Sequence, residues 1–443
     1  MKVVLYFTNA IATGSFQGET RILNIPSRLE QFRRVLDKYP EHEFVIVGCR
    51  TATAITDPTT YEYTDPDGRL KYVYLDPSAS AERYVEVILK ETPAIAVAMS
   101  NTSSGVDWNT LRDSIIANAL NEKGIRTIAH SFAARIFMSK SQTHDVLKAL
   151  GFLVADGFSV SMSLYNVEKN NPMIASNVYK DGVRYALMKL RYPVLIKDST
   201  GSNSEGIFIV HSPEEAVQKL DSIEGAGNLY TIEEMIQGEQ FGTEIHGVRG
   251  NYVVVPPFRL STNAEGISVG SSNCKIGPVT DEKYNIPALQ EMLLRLAYTT
   301  GLEGTAEIDL VFSEDKWWII EVNPRSSGLS NLASASQMKY PAESVVDPVL
   351  DTKHKMSDVQ FTKCIQLPIG EVTDEQLEEL KQLPHFWTAF IYSNPYIHFG
   401  NLVLNGFESE AEILDYVREL NGRLPEVITE DIVKLVERTI QAV

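Results

Sequence analysis

The 443-residue sequence predicts a mixed α/β and α+β fold: a parallel α/β domain over residues 1–135, an α+β core over 136–350 and a small α+β domain over 351–443. Three observations predict it. Short apolar runs alternate with helix-like stretches through the first 135 residues, as a parallel sheet with crossover helices requires. A patterned hairpin with an acid on each strand ends near residue 325. Beyond it, the polar stretch Asp351–Asp358 marks a change of character before further strands and helices.

Taken in order, the first apolar runs are residues 2–7, 43–47, 94–99 and 124–129, with helical patterns at Ser27–Lys38 and Trp108–Lys123 between them. The loop Thr13–Gly18 follows the first run, at the sheet edge where such folds receive ligands, although an ordinary connection reads the same way. Ser139 caps a helix Lys140–Leu150 that stops at Gly151. Strands are expected at Tyr192–Asp198 and Gly206–His211, joined by the polar loop Ser199–Glu205. Ser212-Pro213-Glu214-Glu215 then opens a helix with proline at its first position. Strands follow at Leu229–Glu233, Gly242–Val248 and Tyr252–Leu260, and a helix at Pro287–Thr300. The C-terminal region reads as strands Cys364–Pro368, Trp387–Ser393 and Ile397–Leu404 with helices Glu410–Leu420 and Glu430–Ala442. Ser409 and Glu412 have the spacing of a capping box for the first of these helices.

Composition narrows the function. A hydrophobic content of 44% is ample for buried cores. A net charge of −18 argues against a general nucleic-acid binder and for small-molecule partners held by a few local cations. Three scattered cysteines, Cys49, Cys274 and Cys364, suit a reducing compartment. The first apolar run, Val3 to Phe7, is too short for a secretory signal, and no run approaches a membrane span. A cytoplasmic protein without a membrane partner is expected, with a homodimer as the base-rate assembly.

The chemistry concentrates in Asp309 and Glu321-Val322-Asn323-Pro324-Arg325, which flank the turn Ser313–Lys316. Asp309, Glu321 and Asn323 can converge on one point from adjacent strands. Hard oxygen ligands with positions left for water and phosphate suit Mg²⁺ on a nucleotide triphosphate. Arg325 adds a fork of donors beside them. Upstream, Lys197 ends a strand before a loop of small residues in which Ser202, Asn203 and Ser204 could offer backbone N–H and hydroxyl donors to phosphate. Alone, such a loop is an ordinary turn; it is no Rossmann fingerprint, and the chain has no Walker-A motif. The segment Leu229–Glu239 runs from apolar residues into Glu233 and Glu234, then Met235 and Ile236, then Gly238. An adenine ring needs an apolar slot with a peptide C=O and N–H on its edge, which such a strand end can offer.

The succession of these parts resembles the ATP-grasp superfamily over roughly residues 136–335. The resemblance implies an ATP-grasp fold with an N-terminal pre-grasp domain, a lid lobe near residues 188–237 and a metal-site lobe near 238–335. It implies ATP with Mg²⁺ or Mn²⁺. Lys140 and Lys197 would contact the phosphates and the adenine edge, and Glu233 would face the adenine amino group. The Glu234 carbonyl and Ile236 amide would complete that edge, with Ile320 beneath the ring; Asp309, Glu321 and Asn323 would hold the metal. Many members place a glutamate for the ribose hydroxyls where this chain has Gln240, so the choice between Glu239 and Gln240 is open. Lys275 and Arg259 stand where such folds supply cations to an acyl-phosphate site beside Arg325, and surface charge is the equal alternative. Ser326-Ser327-Gly328 could line the substrate site. Glu244 and His246 alternate along a strand as a site pair or as a mutually satisfied one. Cys274 reads as a passive thiol.

The resemblance implies an ATP-dependent carboxylate–amine ligase forming an amide or peptide bond between amino acids or peptides through an acyl phosphate, with ADP and phosphate released. The domain layout resembles the pheganomycin-type peptide ligase and L-amino acid ligase group. One alternative loads an amino acid onto a carrier-protein thiol; another is a non-catalytic nucleotide-binding regulator. Neither substrate is legible.

Overall fold

A computed structural model describes residues 1–8, 21–49, 62–99, 109–171, 173–199, 206–223, 228–268, 273–351, 356–393 and 398–441. The Thr13–Gly18 loop and Ser202, Asn203 and Ser204 lie outside these described residues.

The N-terminal sheet runs Glu62–Thr64, Leu70–Tyr74, Glu43–Gly48, Lys2–Phe7, Ile95–Ala98, Arg126–Ile128, parallel except for its antiparallel edge strand Glu62–Thr64. A sheet covered on both faces must be apolar on both. Val3, Leu5 and Phe7 accordingly pack on the side of helix Arg28–Lys38, while Val4 and Tyr6 pack against Tyr84, Ile88, Ile116 and Leu120. The helix Arg28–Lys38 starts where Ser27 and Glu30 form a reciprocal capping box.

A second sheet, antiparallel, has the order Ile207–Val210, Val194–Asp198, Leu229–Glu234, Gly157–Ser161. Here Gly157 lies so close to its neighbour that a Cβ would come within 2.3 Å of the Ile232 carbonyl oxygen. No other residue fits that approach.

The third sheet has ten strands. Its path is Lys316–Asn323, Gly304–Ser313, Glu239–Val248, Phe258–Leu260, Lys275–Gly277, Lys363–Ile369, His398–Phe407, Phe386–Ser393 and Arg21–Ile25, with Asn251–Val254 paired alongside Glu239–Val248. The C-terminal strands therefore continue the sheet that carries the acidic hairpin, and a strand from the first 25 residues closes its far edge. The expected single strand Tyr252–Leu260 is two, Asn251–Val254 and Phe258–Leu260, parted by Pro256 and Pro257, which have no N–H for a ladder. Ser409 caps its helix, but the Glu412 carboxylate accepts from the Glu408 N–H, one residue earlier than a capping box requires. Behind the sheet, Phe241, Tyr284, Phe312 and Trp317 form an aromatic cluster with ring centroids 4.9–6.0 Å apart. No helix among the described residues is long and apolar enough to cross a membrane.

His130 joins the N-terminal sheet to this core. Its Nδ1 accepts from the Glu303 N–H at 3.0 Å, so Nε2 carries the proton and donates to the Thr305 carbonyl at 2.9 Å. Burial pushes its pKa down to about 4, against the Thr305 hydrogen bond. A histidine with a depressed folded pKa stabilises the fold fully above its unfolded pKa, near 6.5, and loses that contribution as pH falls toward 4. Denaturant titrations should show a loss of about 3 kcal/mol across that window, flattened in His130→Gln; an unchanged wild-type profile would exclude the neutral buried imidazole.

Candidate nucleotide and metal site

The hairpin Gly304–Ser313/Lys316–Asn323 sets Asp309 opposite Glu321 as Cα partners. Its register then slips, so that Leu310 faces Ile319 and Ile320 is the extra residue of a bulge. Ile319 packs into the core, and Ile320 lines a crevice with Glu233, His144, Leu147, Val154 and Ala155. Directly opposed residues share a face. Glu307 lies opposite both Asn323 and Glu244, one row along from the Asp309–Glu321 pair. Glu307 was not anticipated, yet its position two residues before Asp309 on a strand placed it on that face.

Asn323 Nδ2 donates to Glu307 at 3.3 Å, and Arg325 donates to the Asn323 side-chain oxygen at 3.3 Å. The turn is fastened to the N-terminal domain by Thr110, whose hydroxyl donates to the Pro324 carbonyl at 2.9 Å. Lys140 donates to Glu321 at 2.5 Å. Burial opposes both of these charges, but their mutual attraction outweighs it, raising the Lys140 pKa and lowering that of Glu321. Asp309 is held well above the usual carboxylate range by burial first, then by Glu307 and Glu321.

In the second sheet, Lys197 and Glu233 form an ion pair with both residues buried. Lys140 N–H donates to the Ser199 carbonyl at 3.0 Å, and the hydroxyls of Ser141, Ser199 and Thr231 bond one another in a buried triangle. Both lysines are thus anchored to one junction of helix and sheet. Glu234 is tied by its carboxylate to Arg191 and by its N–H to the Asp156 carbonyl, and Met235 N–H donates to Pro193. The connection passes under Gly238, where a Cβ would stand 2.4 Å from the Phe312 carbonyl oxygen.

Two expectations are corrected. Arg259 faces the opposite side of the sheet, opposed to Phe241, and is engaged by Glu410, Tyr284 and Glu239; it is not gathered with Arg325. Strand parity is the reason, since Arg259 lies one residue from Leu260, the partner of Lys275. Gln240 is on the near face, but both ends of its amide hold the loop before Ser268, through the Gly266 carbonyl at 2.6 Å and the Ser268 N–H at 3.2 Å. Glu239, on the far face, binds Lys283 and Tyr284.

Lys275 does join the acidic face. Burial pushes its pKa down against Glu307, Asp309 and Glu244. Ser327 and Ser330 donate to Glu244, whose other oxygen lies 2.6 Å from His246 Nε2, so Glu244 and His246 form a mutually satisfied buried pair. The Cys274 thiol is fully buried and pushed up by desolvation, as a passive thiol would be.

The residues fit a divalent ion. Three carboxylates crowd one recess, where burial first and then the charges of Glu307 and Glu321 raise the Asp309 pKa. A cation relieves the repulsion among them. The partner of Asp309 is Gly242, so no side chain from that position crowds the carboxylate. Among the described residues, no group of three or more His, Cys, Asp or Glu is arranged to hold a metal ion by itself. Nucleotide-borne Mg²⁺ takes one or two carboxylates and completes its shell with water and phosphate.

Residues 155–329 match the family model for the ATP-grasp domain. A carbamoyl-phosphate synthase of Methanobrevibacter smithii is 25% identical over 199 residues, 43% of this chain; the match spans about half, 53%, of that relative's length. Among solved structures, the L-amino acid ligase from Bacillus licheniformis superposes with a TM-score of 0.62 at 14% identity, covering 95% of this chain and 97% of the other. The biotin carboxylase domain of Hydrogenobacter thermophilus 2-oxoglutarate carboxylase, solved with MgADP and bicarbonate, gives 0.59 at 15% identity, over 94% and 88%. The acidic hairpin and the second sheet both fall within residues 155–329, the part of the chain that matches the ATP-grasp domain.

Proposed function

We propose that the protein is an ATP-dependent carboxylate–amine ligase. The observation that carries this reading is one sheet face presenting Asp309, Glu321 and Asn323 beside two cations, Lys275 and Arg325. A carboxylate does not condense with an amine at neutral pH, because its leaving group is poor. In the proposed reaction a substrate carboxylate oxygen attacks the γ-phosphorus of ATP, forming an acyl phosphate as the bond to ADP breaks. The amine nitrogen then attacks the acyl carbon; phosphate leaves, and the amine gives up a proton. Asp309, Glu321 and Asn323 would hold Mg²⁺, which when bound neutralises β- and γ-phosphate charge. Arg325 and Lys275 stabilise charge developing on the transferred group and on the tetrahedral oxygen. Lys140 and Lys197 bind and orient the phosphates, while Glu233, the Glu234 carbonyl, the Ile236 amide and Ile320 receive the adenine. No nucleophilic side chain is needed.

The finer reading, that amino acids or peptides are joined as in the L-amino acid ligase group, is supported by the fold over nearly the full chain and by the mixed charges of the face. An ADP-release screen of amino acids and short peptides in pairs, with mass spectrometry of the product, tests it. Asp309→Asn should lower ADP release at least about a hundredfold, as loss of a pre-organised charge does. A rate within a few fold of wild type would remove Asp309 from the site. An adduct on a carrier-protein thiol in place of an amide would favour the thioester alternative.

A further inference from the structure

Two charges on the near face are only partly used by the protein itself. Lys275 is 7% exposed, yet its ammonium has no hydrogen-bond or ion-pair partner among the described residues. It lies beneath Gly328, where a Cβ would come 3.5 Å from Nζ. Glu307, with its side chain 14% exposed, receives the Asn323 N–H at 3.3 Å, faces Arg325 across 3.8 Å and also interacts with the Ser327 hydroxyl and the Lys275 charge. An ionised carboxylate has about four acceptor sites, so these partners leave it room for one further donor. The same chain satisfies a buried acid closely where the role is architectural: Asp347 takes Lys38 at 2.6 Å, Tyr39 at 2.7 Å and Lys339 at 2.9 Å.

Sheet geometry puts Glu307 beside Asn323 and one row along from the Asp309–Glu321 pair. Glu307 is about 7 Å along its strand from Asp309, at two residues of strand rise. It faces the same side as Lys275, which it approaches closely enough to interact electrostatically. A simple carboxylic acid would match Lys275 and Arg325 but bring a negative group against Glu307. A ligand with an ammonium beside its carboxylate satisfies both charges at once. Resting on the ligase reading, we infer that the activated substrate is a free α-amino acid, with Glu307 the residue that recognises its ammonium group and Lys275 and Arg325 receiving its carboxylate.

The test is equilibrium binding of L-amino acids, each beside its N-acetyl and des-amino counterparts, to the full chain saturated with Mg²⁺ and a non-hydrolysable ATP analogue. At least one free amino acid should bind about thirtyfold or more tighter than either counterpart, the size expected of a charge-assisted hydrogen bond. Glu307→Gln should bring that ratio below about threefold. An unchanged melting temperature would show that its fold is intact. The inference is overturned if no amino acid binds, if wild type ignores the ammonium, or if Glu307→Gln keeps the discrimination. The ligase reading fails separately: selective binding without ADP release for any amine partner removes the ligase and keeps the recognition site. Sustained ADP release with des-amino acids does the reverse.

Discussion

Arg325→Ala is expected to cut ADP release about a thousandfold while the protein stays folded. Removing one pre-organised donor from a developing charge costs about 10²–10³ in kcat, and a planar guanidinium offers two parallel donors where most side chains offer one. The side chain is buried at the end of the hairpin and held by Asn323, so its placement is prepaid by the turn that Thr110 fastens. Arg325→Lys should recover little, because an ammonium cannot reproduce the fork. Single-turnover measurements of γ-phosphate transfer, with melting curves for both variants, provide the check. An alanine variant within tenfold of the wild-type rate would sink the assignment. Glu321→Ala should lose turnover comparably, and Lys140 would lose the carboxylate it now binds.

Lys197→Met should destabilise the four-stranded sheet by about 3–5 kcal/mol, the cost of leaving one member of a buried ion pair without its partner. Glu233 would be that member, since it is as buried as Lys197 and bonded to it across neighbouring strands. Because the pair sits in a four-stranded sheet, the loss should appear first as faster amide exchange in Val194–Asp198 and Leu229–Glu234, with the ten-stranded sheet little changed. Replacing both partners with apolar residues of similar size should restore much of the stability without restoring affinity for the nucleotide analogue. If the single variant exchanged as slowly as wild type, the pair would not be holding that sheet.

What the sequence made legible was local. Alternating apolar runs identified the N-terminal parallel sheet, and the acids flanking Ser313–Lys316 identified the hairpin that sets Asp309 against Glu321. The break at Pro256–Pro257 was equally visible, because a proline pair cannot sustain a ladder; the apolar pattern around it overrode that signal. Parity separates the remaining cases. Arg259 carries the right charge on the wrong face, whereas Glu307 is on the right face with no motif to announce it. Gln240 could not be read because the loop that occupies its amide is brought in by tertiary contact. That the C-terminal strands join the core sheet depended on pairing Lys275–Gly277 with Lys363–Ile369, which no local pattern encodes.

The far edge of that sheet has a consequence for biosynthesis. Arg21–Ile25 leaves the ribosome well before Phe386–Ser393, against which it lies and which follows it by roughly 360 residues. At typical elongation rates the early segment waits about 20–70 seconds for its mate. Throughout that interval its backbone donors and acceptors are open to any other extended chain, so nascent molecules on one messenger are the natural competitors.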